Sequence, residues 1–186
     1  RDSRTVTVGS MLERYHIDRP HAARVAAMAK DLYLGASATP DPETAQRVEW
    51  AGLLHEIGFT VSHLSFHKHG AYILENADMP GFSAQDQRNL ALLVLGCRGG
   101  LSKMADFLAD SDFVAQILAL RLAVLFHHAR RAIDAPHIAL IVARTIRFGV
   151  AKRWLAAHPL TSHLLSVERE AWADLRMPWH ASVRGR

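Results

Sequence analysis

Apolar residues recur along much of this chain at helical spacing. Asp18 and Pro20 give a helix start, and Val25, Met28, Ala29, Leu32 and Tyr33 then share one face at i, i+3, i+4, i+7 and i+8. Asp41-Pro42-Glu43-Thr44 repeats the start signal. The helix it predicts runs through Trp50 and Leu54 to a stop at Gly58, apolar nearly all round, as a buried central helix is. A third helix is expected from His67 to Glu75, followed by a turn at Asn76-Ala77-Asp78-Met79-Pro80-Gly81. Ser83 and Asp86 have the spacing of a capping box, opening a helix that Gly96 ends, and Gly99-Gly100 marks a loop. A long helix from about Asp112 to Arg131 carries a broad apolar face in which Arg121 either snorkels out to solvent or needs a buried carboxylate partner.

After Ala135-Pro136 the period changes to two. Ile138, Leu140 and Val142, then Ile146, Phe148 and Val150, predict a hairpin, followed by helix from Trp154 to Asp174 broken at His158-Pro159 and a short strand within 176–181. The expected fold is mostly α: a linker over residues 1–9, a helical bundle over 10–132, and a small α+β subdomain with a short antiparallel sheet over 133–186.

Composition narrows the class. With 186 residues, 49% hydrophobic and 22% charged, the chain can bury a core, and its longest apolar run is too short to span a bilayer. A single cysteine, Cys97, excludes an internal disulfide and a Cys-based zinc site, and its ordinary reading is a buried thiol. No apolar leader and no Met open the sequence, which favours a piece of a longer cytoplasmic protein. The formal charge of +4 leans weakly towards anionic partners. Arg130, Arg131, Arg144, Arg147, Lys152 and Arg153 crowd the last third, and the plain reading is a solvated basic face. No helix-turn-helix or zinc-finger signature is present, and nucleic acid is not an expected partner.

The candidate chemistry is a run of histidines: His55 with Glu56 beside it, then His63, His67 and His69. Imidazole is a metal ligand when neutral and a phosphate donor when charged. The spacing is not His-Glu-x-x-His, so the zinc-protease arrangement is excluded. His21-Ala22-Ala23-Arg24-Val25-Ala26 with Ala51-Gly52-Leu53-Leu54-His55-Glu56-Ile57-Gly58 resembles an HD-type helical domain. That family binds metal through a His, a His-Asp pair and a later Asp, and hydrolyses phosphate esters. Here the pair is His55-Glu56, and no carboxylate stands around Leu122-Ala123-Val124-Leu125, where the later Asp would fall.

A more specific resemblance covers about residues 10–100. Arg14-Tyr15-His16-Ile17-Asp18, Leu54-His55-Glu56-Ile57-Gly58, His63, His67-Lys68-His69-Gly70-Ala71-Tyr72-Ile73-Leu74 and the stretch from Asn76 to Ser83 resemble the C-terminal region of the exopolyphosphatase/guanosine pentaphosphate phosphohydrolase (Ppx/GppA) family. The resemblance implies an HD-like bundle with a degenerate metal site. It also implies that the catalytic actin-like domains lie outside this sequence, that no catalytic residue or cofactor belongs to this stretch, and that Mg2+ serves the full-length enzymes. Polyphosphate or guanosine pentaphosphate is the implied ligand and a homodimer the implied assembly. Carried over by motif, the polyphosphate-binding residues are His55, Glu56, His63, His67, Lys68 and His69, with Arg98 and Lys103 supplying further charge. Such binding weakens with salt, and it strengthens towards pH 6 if the histidines contact phosphate. Two other readings remain: a metal-dependent HD phosphohydrolase acting on nucleotides, and a purely structural dimerisation module.

Overall fold

The computed structural model describes residues 2–182; Arg1 of the expected linker and residues 183–186 of the expected subdomain lie outside the described residues. The chain is mostly helical, with a small sheet near its C-terminal end. Most of the stretch expected to be a linker is instead helix. Helix α1 spans Ser3–Arg14, capped by Asp2, whose side chain accepts from the Arg4 N–H at 2.9 Å. Its buried face, Thr7, Val8, Met11 and Leu12, has helical spacing, and the Thr7 hydroxyl donates to the Pro80 carbonyl at 2.6 Å. Polar and glycine residues between those positions hide the pattern in the sequence.

Helices α2 (Arg19–Ala36) and α3 (Pro42–Leu54) begin where expected, each with an aspartate cap and a proline in its first turn. Helix α3 ends at Leu54, before Gly58, because His55 and Glu56 turn into a short 3-10 segment over Ile57–Thr60. Gly58 allows the close approach of the next helix: an added methyl there would overlap the Phe66 carbonyl. Helices α4 (Phe66–Asn76) and α5 (Ala84–Gly96) follow, and both arms of the Ser83–Asp86 capping box form at 3.0 Å.

Helix α6 (Ser111–Phe126) is apolar all round and lies at the centre, packed on α2, α3, α5 and α8 (Pro159–Asp174). It stops five residues before the expected Arg131: the backbone leaves the helical region at His127 (φ −103°, ψ 22°), where the ring Nδ1 caps the Ala123 carbonyl at 2.9 Å and the His128 N–H closes a tighter turn onto the Leu125 carbonyl. The carboxylate expected for Arg121 is Glu168 of α8, which takes its Nε at 2.7 Å and its Nη2 at 2.8 Å.

Strands β1 (Ile138–Val142) and β2 (Ile146–Val150) form the expected antiparallel hairpin, with Leu140 opposite Phe148. Helix α7 (Lys152–Ala157) and α8 follow, and β3 (Trp179–Ala181) joins β2 in parallel, so the sheet is mixed. Alternation places Leu140, Val142, Ile146 and Phe148 in the core.

Candidate functional site

His55 and Glu56 sit where α3 gives way to the 3-10 turn, and the packing of α2 on α3 brings His21, from the first turn of α2, against them. All three are buried, His55 to 1% exposure. His55 Nδ1 lies 2.6 Å from the Gly52 carbonyl oxygen. A carbonyl only accepts, so Nδ1 carries the proton and Nε2 keeps its lone pair, 4.0 Å from Glu56 Oε2. His21 Nε2 stands 3.8 Å from Glu56 Oε1, and its Nδ1 is buried without a hydrogen-bond partner among the described residues. Burial pushes both imidazoles below their usual value, against the pull of Glu56, and keeps them neutral.

Both oxygens of Glu56 are engaged by one guanidinium. Arg130 donates from Nη1 to Oε2 at 2.5 Å and from Nη2 to Oε1 at 3.0 Å, with Asp18 Oδ2 3.7 Å from Nη2. Arg130 lies just past α6 in the left-handed region, φ 60°, and its carbonyl accepts from Arg24 at 3.2 Å. The basic residue expected on a solvated face is therefore half of a salt bridge to a buried carboxylate.

These groups form one wall of a cleft of about 730 Å³, closed by the end of α5, by α6 and by α8. Arg121 and Glu168 lie deep in it as a bidentate pair; Arg121 Nη1 also donates to the Gly96 carbonyl at 2.9 Å, and Trp172 Nε1 donates to Glu168 at 2.8 Å. Cys97 lines the floor, its thiol pushed up to about 12 by burial, so it is no thiolate nucleophile at neutral pH.

Of the residues singled out in the sequence, His55, Glu56 and Arg98 line this cleft. His63 is exposed at its rim, its ring 4.4 Å from that of Phe59. His67 is buried behind Gly99: a methyl on Gly99 would lie 3.2 Å from His67 Nε2 and 3.1 Å from Lys103 Nζ. Lys68 is exposed and His69 half-buried on α4, and neither lines the cleft. Burial, then Lys103, Lys68 and Arg98 in turn, lower the His67 pKa to about 4. The expected gain of phosphate affinity towards pH 6 therefore does not come from His67 or from buried, neutral His55. Arg98, Lys68 and Lys103 form no ion pair with a carboxylate among the described residues, and the Arg98 guanidinium lies 5.2 Å from the centre of the Phe66 ring.

The sequence model of the Ppx/GppA phosphatase family's domain III matches residues 3–169. The chain belongs to the Ppx/GppA phosphatase family. Among its relatives, the guanosine-5'-triphosphate,3'-diphosphate pyrophosphatase of Vibrio atlanticus is 31% identical over 183 residues, which is 95% of this chain and 37% of the relative. The protein of the same name from Pseudoalteromonas translucida is 32% identical over 184 residues, 94% of this chain and 36% of the relative. This domain III thus spans little more than a third of the relatives it matches.

The metal implied by the HD resemblance does not fit this domain III as it stands. His21, His55 and Glu56 place three donor atoms within 4.8 Å of one another, but Glu56 is already neutralised by Arg130, and α6 turns Val124 and Leu125, not a carboxylate, to the cleft. Two nitrogens and one carboxylate also suit Mg2+ poorly, which takes oxygen ligands. Sequence reasoning left His21 and Arg130 out of the site set. His21 was legible as the third residue after the Asp18 cap, whereas Arg130 pairs with a residue 74 positions away and left no local signal.

Proposed function

We propose that this domain is an HD-like accessory module of a Ppx/GppA phosphohydrolase: it holds the phosphates of a polyphosphate chain or of guanosine pentaphosphate, bond cleavage is left to other domains, and it helps form a homodimer in the cytoplasm. The observation that carries the reading is Arg98 on the cleft lining, with Lys103 Nζ donating to its carbonyl at 2.7 Å and Lys68 exposed on α4, cations that no carboxylate neutralises among the described residues. Other charges of the cleft are internally paired, Arg121 with Glu168 and Arg130 with Glu56. A phosphate chain offers a line of negative charge with no apolar edge, and unpaired Lys and Arg at an open rim suit it better than a buried ion pair does. The names of the relatives, which specify a phosphorylated guanosine, support the ligand class.

The test is polyphosphate binding by this chain, followed by calorimetry at several salt concentrations. Affinity is expected to fall steeply with salt, with a log–log slope of roughly −0.7 per phosphate contacted, taking single-stranded nucleic acid as the analogue. Arg98→Ala and Lys103→Ala should each weaken binding and flatten that slope. Absent or salt-insensitive binding, with a dimer intact by light scattering, would leave the purely structural module as the reading. Phosphate release by the isolated chain would contradict the non-catalytic part.

A further inference from the structure

The cluster of His21, His55 and Glu56 has the ingredients of a transition-metal site and two features that oppose it. His55 is held by the Gly52 carbonyl in the tautomer that leaves Nε2 bare, which is how metal-ligating histidines are commonly oriented. His21 Nε2 faces the same carboxylate from the other helix, and its buried Nδ1 has no partner among the described residues. Two imidazoles and a carboxylate match ions such as Zn2+ or Co2+. With metal–ligand bonds of roughly 2.0–2.1 Å, tetrahedral donors stand about 3.3 Å apart. Here the two histidine nitrogens lie 3.8 and 4.0 Å from Glu56, a set slightly too open, and both carboxylate oxygens bond the Arg130 guanidinium.

We infer that the Arg130 guanidinium takes the place of a metal ion at His21, His55 and Glu56 and keeps one out. A buried carboxylate needs a positive partner, and Arg130 supplies it from the connection after α6, entering from the cleft side. A divalent ion would have to bind beside that fixed positive charge or displace it, losing two charge-assisted hydrogen bonds. The left-handed backbone at Arg130, stabilised by the Arg24 hydrogen bond to its carbonyl, aims the side chain inward. Its side chain is 42% exposed and belongs to no helix or strand, so it can be shortened without opening the apolar core.

Co2+ titration of the full chain, read by the visible absorption of tetrahedrally bound cobalt, tests the inference. Arg130→Ala should bind one Co2+ with that spectrum and gain thermal stability in excess Zn2+, as a ligand of the native state does. The unaltered chain should bind at least tenfold more weakly. Adding His21→Ala to Arg130→Ala should abolish the spectrum. Arg130→Gln, which keeps a donor towards Glu56 without the charge, provides the same comparison should the alanine variant fold poorly. In the unaltered chain the ring signals of His21 and His55 by NMR should stay in place when Zn2+ is added at micromolar concentrations. Equal affinity with and without Arg130, or no binding by a folded Arg130→Ala or Arg130→Gln chain, would overturn it.

Discussion

At the scale of single residues, two buried polar groups set the stability of the cleft. Arg121 and Glu168 are fixed by hydrogen bonds on every side, from Gly96 to Trp172. Glu168→Ala leaves the guanidinium charged and unpaired in the core and should cost roughly 3–5 kcal/mol in urea unfolding, whereas Arg121→Met with Glu168→Leu should recover part of that loss. A cost below about 1 kcal/mol for Glu168→Ala, typical of an exposed pair, would mean that water reaches the guanidinium. His67 acts through its proton. Burial first, then Lys103, Lys68 and Arg98, lower its folded pKa to about 4, while the unfolded chain takes up a proton near 6.5. The unfolded state therefore binds more protons between those values. Stability should be full above about pH 6.5, fall as pH drops towards 4, and level off below it. His21, His55 and His127, also lowered by burial, add slopes of the same sign. Melting temperature against pH checks this, and His67→Gln should flatten the curve; an unchanged curve would mean that His67 takes up its proton at the same pH in the folded and the unfolded chain.

Between elements, glycines report how closely helices approach. A methyl on Gly52 of α3 would stand 2.7 Å from the Ala26 Cα of α2, so Gly52→Ala should push the two helices apart and cost about 1–3 kcal/mol. Gly9, within α1, has nothing within 4 Å of an added methyl, and Gly9→Ala should stabilise by about 0.5–1 kcal/mol through helix propensity. Chemical denaturation of both variants tests the helix–helix contact and the existence of α1 together; a destabilising Gly9→Ala would argue that α1 is not helical in solution. What the sequence revealed and concealed divides along the same line. Helices α2, α3 and α5 and the hairpin were legible because aspartate and serine caps, prolines and apolar periods are local signals. Helix α1 was hidden because its apolar face is short and interrupted by polar residues, and because its Thr7 hydroxyl is bonded by the Pro80 carbonyl, far along the chain. The early end of α6 and the parallel joining of β3 depend on contacts with distant segments, as does the Arg130–Glu56 bridge. The cleft was half legible for that reason: His55-Glu56 carried a motif, and the residue that neutralises it did not.

Across the whole molecule, the change of period near residue 133 separates a helical bundle from a small α+β segment, but packing runs straight across it. Leu140, Val142, Phe148, Leu165 and Trp172 belong to the same buried cluster as the helices before them. Val142 bridges to Ser37 beyond the end of α2, and Glu168 neutralises Arg121 in the central helix. A chain cut after residue 132 would lose that carboxylate and expose the apolar side of α6 that β1 and α8 cover. Such a fragment should keep helical content and lose fixed packing, binding a hydrophobic dye as a collapsed state does. In the full chain the two segments should unfold together. Trp154, Trp172 and Trp179 all lie after residue 133, so in a Trp50→Phe variant tryptophan fluorescence reports the small segment, while far-UV circular dichroism reports mainly the helices before it. Coincident urea curves by both probes are expected of one cooperative unit. A fluorescence transition completed at lower urea would show instead that the sheet and α8 detach first, and that the cleft they help close opens before the bundle melts.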